Sequence, residues 1–223
     1  MSIILPGFWL VVLASQGGCG QVLLGAKAKP TPGEWSSKGV YLGYGLGAFD
    51  CPGQFRVHRV PSPDSQKVAV FSDSDMRMIV QDHGGKTYAG IEGVEFSSLS
   101  ELLWSEDSSA FTVTSSDGGW VGGWSVEVFL IKYSQIERVD VSSQAKKDVM
   151  RRYQCDEPQN EEPNLVAVAW REGSSQLLLV AQVPPHSSCR EMGKLFGYIV
   201  SVPSGKIVER FSEARLRNEW EST

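Results

Sequence analysis

Three stretches of this chain carry one pattern: "VPSPDSQKVAVFS" (60–72), "LWSEDSSAFTVTS" (103–115) and "AWREGSSQLLLVA" (169–181). Each has an apolar or small residue, then polar residues centred on Asp or Gly, then a strongly apolar run. This is the text of a tight hairpin. Asp and Ser bond the local backbone, Gly accepts positive φ, and the flanking apolar residues pack on a common core. A repeated hairpin constrains the fold strongly, because each copy must bury the same positions.

The spacing extends the argument. Asp64 and Asp107 are 43 residues apart, and Asp107 and Gly173 are 66 apart. The excess equals the 23 residues of 142–164, a segment with a different texture. Removing it restores a period of about 40–45 residues, that of four-stranded propeller blades. Units at 55–93, 94–141 and 163–213 follow. Within and between them, "KVAVF", "RMIV", "AFTVT", "WSVEVFLI", "IERVDV", "LVAVAW", "QLLLVAQV", "FGYIVSV" and "KIVERF" read as strands bounded by turn residues. In "WSVEVFLI", alternation puts Trp124, Val126, Val128 and Leu130 on one face, and Ser125, Glu127 and Phe129 on the other. The expected class is all-β: a propeller-like array of about three four-stranded antiparallel blades with one helical insertion.

That insertion begins with "SQAKKDVMRRY" (143–153), whose Ala145, Val149 and Met150 have helical spacing, with Ser142 or Ser143 as cap. It continues into the acidic "CDEPQNEEPN". Lys146, Lys147, Arg151 and Arg152 read as a solvated helix face. As a loop on a rigid scaffold, 142–164 is the expected contact surface, and a chain lacking 143–160 is expected to stay folded.

The hairpin text resembles that of the TolB-type β-propellers, whose blades carry W-S-P-D-G-x-x-[IL]-A-[FV]. The matches are "PSPDSQKVAV" (61–70), "WSEDSSAFTV" (104–113) and, more weakly, "WREGSSQLLLV" (170–180), across about 150 residues. The turn glycine is Ser in the first two copies, and the third lacks the Asp. The resemblance implies a scaffold or binding role toward proteins of the cell envelope. Three blades fall short of the usual four to eight. Residues 40–49, "VYLGYGLGAF", could supply an irregular fourth. The units could instead form an open stack, or a β-sandwich.

The N-terminus places the chain. "IILPGFWLVVLA" (3–14) is a 12-residue apolar run, too short to span a membrane and suited to an export signal. It lacks a basic residue before it. "QGGC" is similar to a lipobox and makes Cys19 a candidate lipidation site, with Gln16 departing from that motif. The division is 1–28 as export signal and lead-in, 29–54 as linker or irregular N-terminal strands, and 55–223 as the β-repeat domain. Of four cysteines none has C-x-x-C spacing, which removes zinc-ribbon and thioredoxin-like readings. Cys155 and Cys189 lie in turn-rich segments and form the candidate disulfide, worth about 3–4 kcal/mol in the chain-entropy model.

Other chemistry is thin. The net charge of −5, with no basic stripe, argues against nucleic acid. Ser125 lies inside a strand rather than on a nucleophile elbow. His186 precedes Cys189 by three residues in a loop. Asp73, Asp75, Asp82 and His83 lack calcium or zinc spacing. Glu106, Asp107 and Asp117 are the carboxylates a hydrolase would use, and the same residues read as turn residues. Trp120 and Trp124, flanking "VGG", could stack on a sugar or grip a peptide.

The expectation is an exported non-enzymatic protein, periplasmic, envelope-anchored or secreted, that acts as a protein-binding or scaffold module. Trp120, Trp124, Arg151 and Arg152 are its candidate contact residues. No cofactor is expected, the membrane is reached only through a lipid on Cys19, and a homo-oligomer is open. The alternative is an extracytoplasmic hydrolase acting on glycans or peptides through loop carboxylates.

Overall fold

The structure, a computed structural model, describes residues 31–32, 35–42, 57–72, 77–91, 99–116, 123–156 and 162–221. The export signal, Cys19, Asp73, Asp75, Asp117 and Trp120 lie outside them.

The described chain is all-β with two short helices. A three-stranded sheet comprises β3 (Val57–Pro61), β4 (Lys67–Ser72) and β5 (Arg77–Asp82). A six-stranded sheet runs β1 (Thr31–Pro32), β2 (Val40–Tyr41), β6 (Leu99–Trp104), β7 (Ala110–Ser116), β8 (Trp124–Lys132), β9 (Gln135–Val139). A four-stranded sheet holds β10 (Asn164–Arg171), β11 (Gln176–Gln182), β12 (Leu195–Ser201) and β13 (Ile207–Phe211). Every pairing within these sheets is antiparallel. Helix α1 (Ser143–Met150) lies between the second and third sheets in sequence, and α2 (Glu213–Glu221) follows the last strand. The expected four strands per unit therefore become three, six and four among the described residues. Residues 40–41 add to the edge of β6 rather than opening a fourth sheet. Glu101, buried on β6, accepts the backbone N–H groups of Trp35 and Ser36 at 2.9 and 3.0 Å and holds this lead-in.

The sheets stack as layers, and the alternation of side chains decides which layer each residue fills. Val60, Ala69, Phe71, Met78 and Val80 of the first sheet pack against Leu102, Trp104, Phe111, Val113 and Phe129 of the second. The second sheet's other face, with Leu103, Ala110, Val126 and Val128, meets Leu165, Leu177, Leu179 and Tyr198 of the third. The two faces expected for β8 are observed from Val126 to Leu130, while Trp124, expected on the same face, packs with a different cluster. Beyond the third sheet, Val166, Val168, Leu178, Val180 and Ile199 form another cluster with Leu216 of α2. The hairpins do not share one interior, because the second and third sheets are each covered on both faces.

The first two hairpin turns are built alike. In the first, Ser62 Oγ donates to Asp64 Oδ1 (2.6 Å) and accepts from Lys67 N (3.0 Å), while Gln66 N donates to Asp64 Oδ1 (2.9 Å). In the second, Ser105 Oγ donates to Asp107 Oδ1 (2.7 Å) and accepts from Ala110 N (2.9 Å), while Ser109 N donates to Asp107 Oδ1 (3.0 Å). Ser65 and Ser108, at the position where the motif has glycine, adopt φ of 58° and 57°. The third turn has no Ser–Asp bracket and relies on Glu172 and Gly173, at φ 48° and 69°. A Cβ on Gly173 would also stand 3.0 Å from Asp107 Oδ2, so a residue without a side chain fits there.

Contacts between units repeat too. Trp104 Nε1 donates to the carbonyl of Val60 (3.3 Å), and Trp170 Nε1 to that of Leu103 (3.1 Å), the equivalent residue one unit on. Asp64 N donates to Ser108 Oγ (3.0 Å), and Ser174 Oγ donates to Asp107 Oδ2 (2.9 Å). A register shift in β10 between Ala167 and Ala169 accompanies a bond from Ala167 N to Thr114 Oγ1 on β7 (3.2 Å).

The insertion is not a detachable loop. Ala145, Val149 and Tyr153 are buried in the layer between the second and third sheets. A chain lacking 143–160 would open that layer, so the expectation of a folded deletion is corrected.

The turns support a paired prediction. Ser65 takes the left-handed backbone cost with a hydroxyl that bonds none of the described residues, whereas Ser108 Oγ accepts from Asp64 N. Ser65→Gly is expected to raise stability by about 0.5–1 kcal/mol. Ser108→Gly should gain less or lose, since a buried contact between units disappears. Urea midpoints of the two variants check this order.

Candidate functional surfaces: the turn row and the insertion face

The turn row holds the carboxylates that a hydrolase would need, and its geometry assigns them another task. Burial pushes the Asp107 carboxyl up, but hydrogen bonds from Ser105, Ser109 and Ser174 pull harder and hold it below the usual range. At Asp64 the same contest, with Ser62, Gln66 and Lys67 as partners, ends at about 2. Carboxyls held ionised this way suit turn closure and do not suit a general acid. Glu106 is exposed and pairs with Lys38 at 2.6 Å. Asp82 accepts from Lys86 N at 2.8 Å within its own turn. Ser125 is exposed on β8 beside its cross-strand partner Ser115. Cys189 is bonded to Cys155, so it offers no thiolate to His186.

The disulfide is the one sequence-derived pairing that the structure contains. Cys155 and Cys189 face each other across a short antiparallel bridge, and Arg190 N donates to Gln154 O at 2.9 Å beside it. The link ties the end of the insertion to the loop between β11 and β12. Its partner restraint is Asp148, on the inward face of α1 and 8 % exposed. Tyr198 Oη donates to it at 3.1 Å, Arg210 donates from Nε and Nη2 at 3.2 Å each, and Arg152 Nη2 lies 2.8 Å away. Burial pushes the Asp148 carboxyl up. The bonds from Arg210 and Tyr198 and the charges of Arg152 and Arg210 outweigh it and hold the group below its ordinary value. Burial and Asp148 together push Tyr198 well above the usual phenol range.

Of the candidate contact residues, Trp124 is half-buried and packs edge-on against Trp35, ring centroids 5.0 Å apart, beside the cluster under α2. Its ring is already occupied by another ring. Arg151 is exposed and, among the described residues, bonds the Lys147 carbonyl of the preceding helix. Arg152 is exposed above Phe196, on the opposite side of the third sheet from Trp124. The structure thus separates Trp124 from the arginines. Sequence reading missed Asp148, Lys194 and Arg210. Asp148 carried a signal, since it stands between Ala145 and Val149 on the apolar side of the helix pattern. A groove of about 320 Å³ also opens at the turn end, between Trp104, Glu106, Trp170 and Glu172 and the lead-in residues Ser36 and Lys38.

The lowered carboxyls fix a pH dependence. A group whose folded pKa lies below its unfolded value stabilises the fold above the unfolded value and loses that contribution as pH falls through the folded one. Asp64, Asp107, Asp140 and Asp148 all have this sign. Denaturation midpoints should therefore hold down to about pH 5 and decline below about pH 4. Asp148→Asn should cost about 1–3 kcal/mol at pH 7 and flatten the acid decline. An unchanged acid profile would dissociate Asp148 from it.

No protein-family model, no curated protein and no solved structure matches this chain.

Proposed function

We propose that this chain is an exported, non-enzymatic β-repeat scaffold that holds a protein partner, its three sheets forming an open, propeller-like array of the TolB type. The observation that carries the reading is the fate of Asp107. The carboxylate best placed for chemistry at a turn tip is spent on closing its own turn and on fastening the next one. Stacked sheets tied at both faces make a stiff body, and stiffness is what a surface that positions a partner requires.

Export is supported by two features. The Cys155–Cys189 disulfide fits an oxidising compartment. The apolar run at 3–14 adds the address. The contact face of this reading is the outer side of the insertion, where Arg151 projects from a helix locked to the core at Ala145 and Val149.

Two measurements test it. Intact mass of the protein recovered outside the cytoplasm should fall short of the full chain by a leader. It should also show oxidised Cys155 and Cys189, and a full-length reduced mass would sink export. Asp107→Asn should lower the melting temperature without removing any turnover of glycan or peptide substrates. Lost turnover at unchanged melting would establish the hydrolase instead.

A further inference from the structure

We infer that the pocket beside Asp148 binds a tetrahedral oxyanion, a phosphate or sulfate group, through Arg152, Lys194 and Arg210. This inference stands apart from the protein-binding reading. An open pocket of about 400 Å³ is lined by these three cations together with Phe196, Ser212 and Glu213. The cations come from three separate places in the chain, the end of the insertion helix, the entry to β12 and the strand β13, so the fold converges them.

Their charges are only partly answered. Among the described residues, Asp148 is the one carboxylate that binds Arg152 and Arg210, and Glu213 is engaged with Arg217 at 2.7 Å. Lys194 pairs with no carboxylate among the described residues; its ammonium lies 5.5 Å from the Phe196 ring centroid, and the Arg152 guanidinium lies 5.8 Å from the same centroid. With Glu213 balanced by Arg217, the three cations are set against Asp148 alone, a surplus of two positive charges in a chain whose net charge is −5. The surplus is local, and an anion is what it would take.

The donor set selects among anions. Arg210 spends the Nε side of its guanidinium on Asp148, so its Nη1 group and the second Nη2 N–H are left for a ligand. Beside them stand the N–H groups of Arg152 not facing Asp148 and the three N–H bonds of an ammonium. Donors from three side chains in three directions match an ion whose oxygens also point in different directions. Asp148 is then a positioning residue: buried, it fixes two guanidiniums at the rim and lowers the entropy lost when an anion arrives.

The test uses the whole chain at about 50 mM NaCl, where screening is weak. Inorganic phosphate and sulfate are titrated by calorimetry, with an oligo-glutamate peptide as a separate arm. Phosphate or sulfate should bind at one saturable site, and the affinity should fall as NaCl rises. Lys194→Gln, a change at an exposed residue, should keep the melting temperature and weaken binding about tenfold, the loss of one charge-assisted bond. Lys86→Gln, an exposed turn residue of the first sheet, should leave binding unchanged. No saturable binding, equal binding by Lys194→Gln, or binding of the peptide alone would each overturn the inference.

Discussion

The second sheet is covered on both faces, and the rest of the structure depends on that burial. Leu102, Trp104, Phe111 and Phe129 look one way, while Leu103, Ala110, Val126 and Val128 look the other. A sheet of this kind cannot stand alone, since each face would expose a large apolar area at a cost of about 25 cal/mol per Å². The neighbours must be present, and they must be in register. Register comes from the indoles. Trp104 and Trp170 each bury a ring in the layer behind them and place one N–H on a carbonyl of the preceding unit. Apolar area supplies the attraction, and the single polar bond sets where the sheets come to rest.

The third sheet is held by a second device. The insertion contributes Ala145, Val149 and Tyr153 to the same layer as Trp170, and its end is tied down by the disulfide. Asp148 then joins α1 to β12 and β13 through Tyr198 and Arg210. A buried carboxylate is costly unless fully bonded, and this one has four donors from three side chains. The segment that interrupts the repeat in sequence is the wedge that seats one unit against the next.

Much of this was legible from residue patterns, and the limits have physical causes. Alternation located the strands and divided β8 into its two faces, because period two is a property of the single strand. Turn chemistry identified the hairpins, since Ser and Asp act on backbone a few residues away. The Cys155–Cys189 pairing was open to inference from two short turn-rich segments. Contacts across the stack were not. Trp104 and Trp170 stand out as large residues, but their carbonyl partners lie 44 and 67 residues away. The cations at 152, 194 and 210 share no local motif, and only the fold assembles them. Lys146 and Arg152 were read as a solvated face, yet each pairs with a carboxylate, Glu162 and Asp148. The insertion was misjudged because the apolar spacing of Ala145 and Val149 marks a helix face but not the layer that buries it.

The bonds between units differ by end: each indole reaches backward, while at the turns Asp64 N donates forward to Ser108 Oγ and the Asp107 carboxylate accepts from Ser174 Oγ. At the front of the row the indole's place is held by Pro61, which has no N–H to give. At the rear the carboxylate's place is held by Gly173, which has no side chain to accept a bond. The coupling code is therefore written only at the two internal junctions. A further copy would make one of the two bonds and miss the other at either end, so an added junction would be held more loosely than the two inside the array.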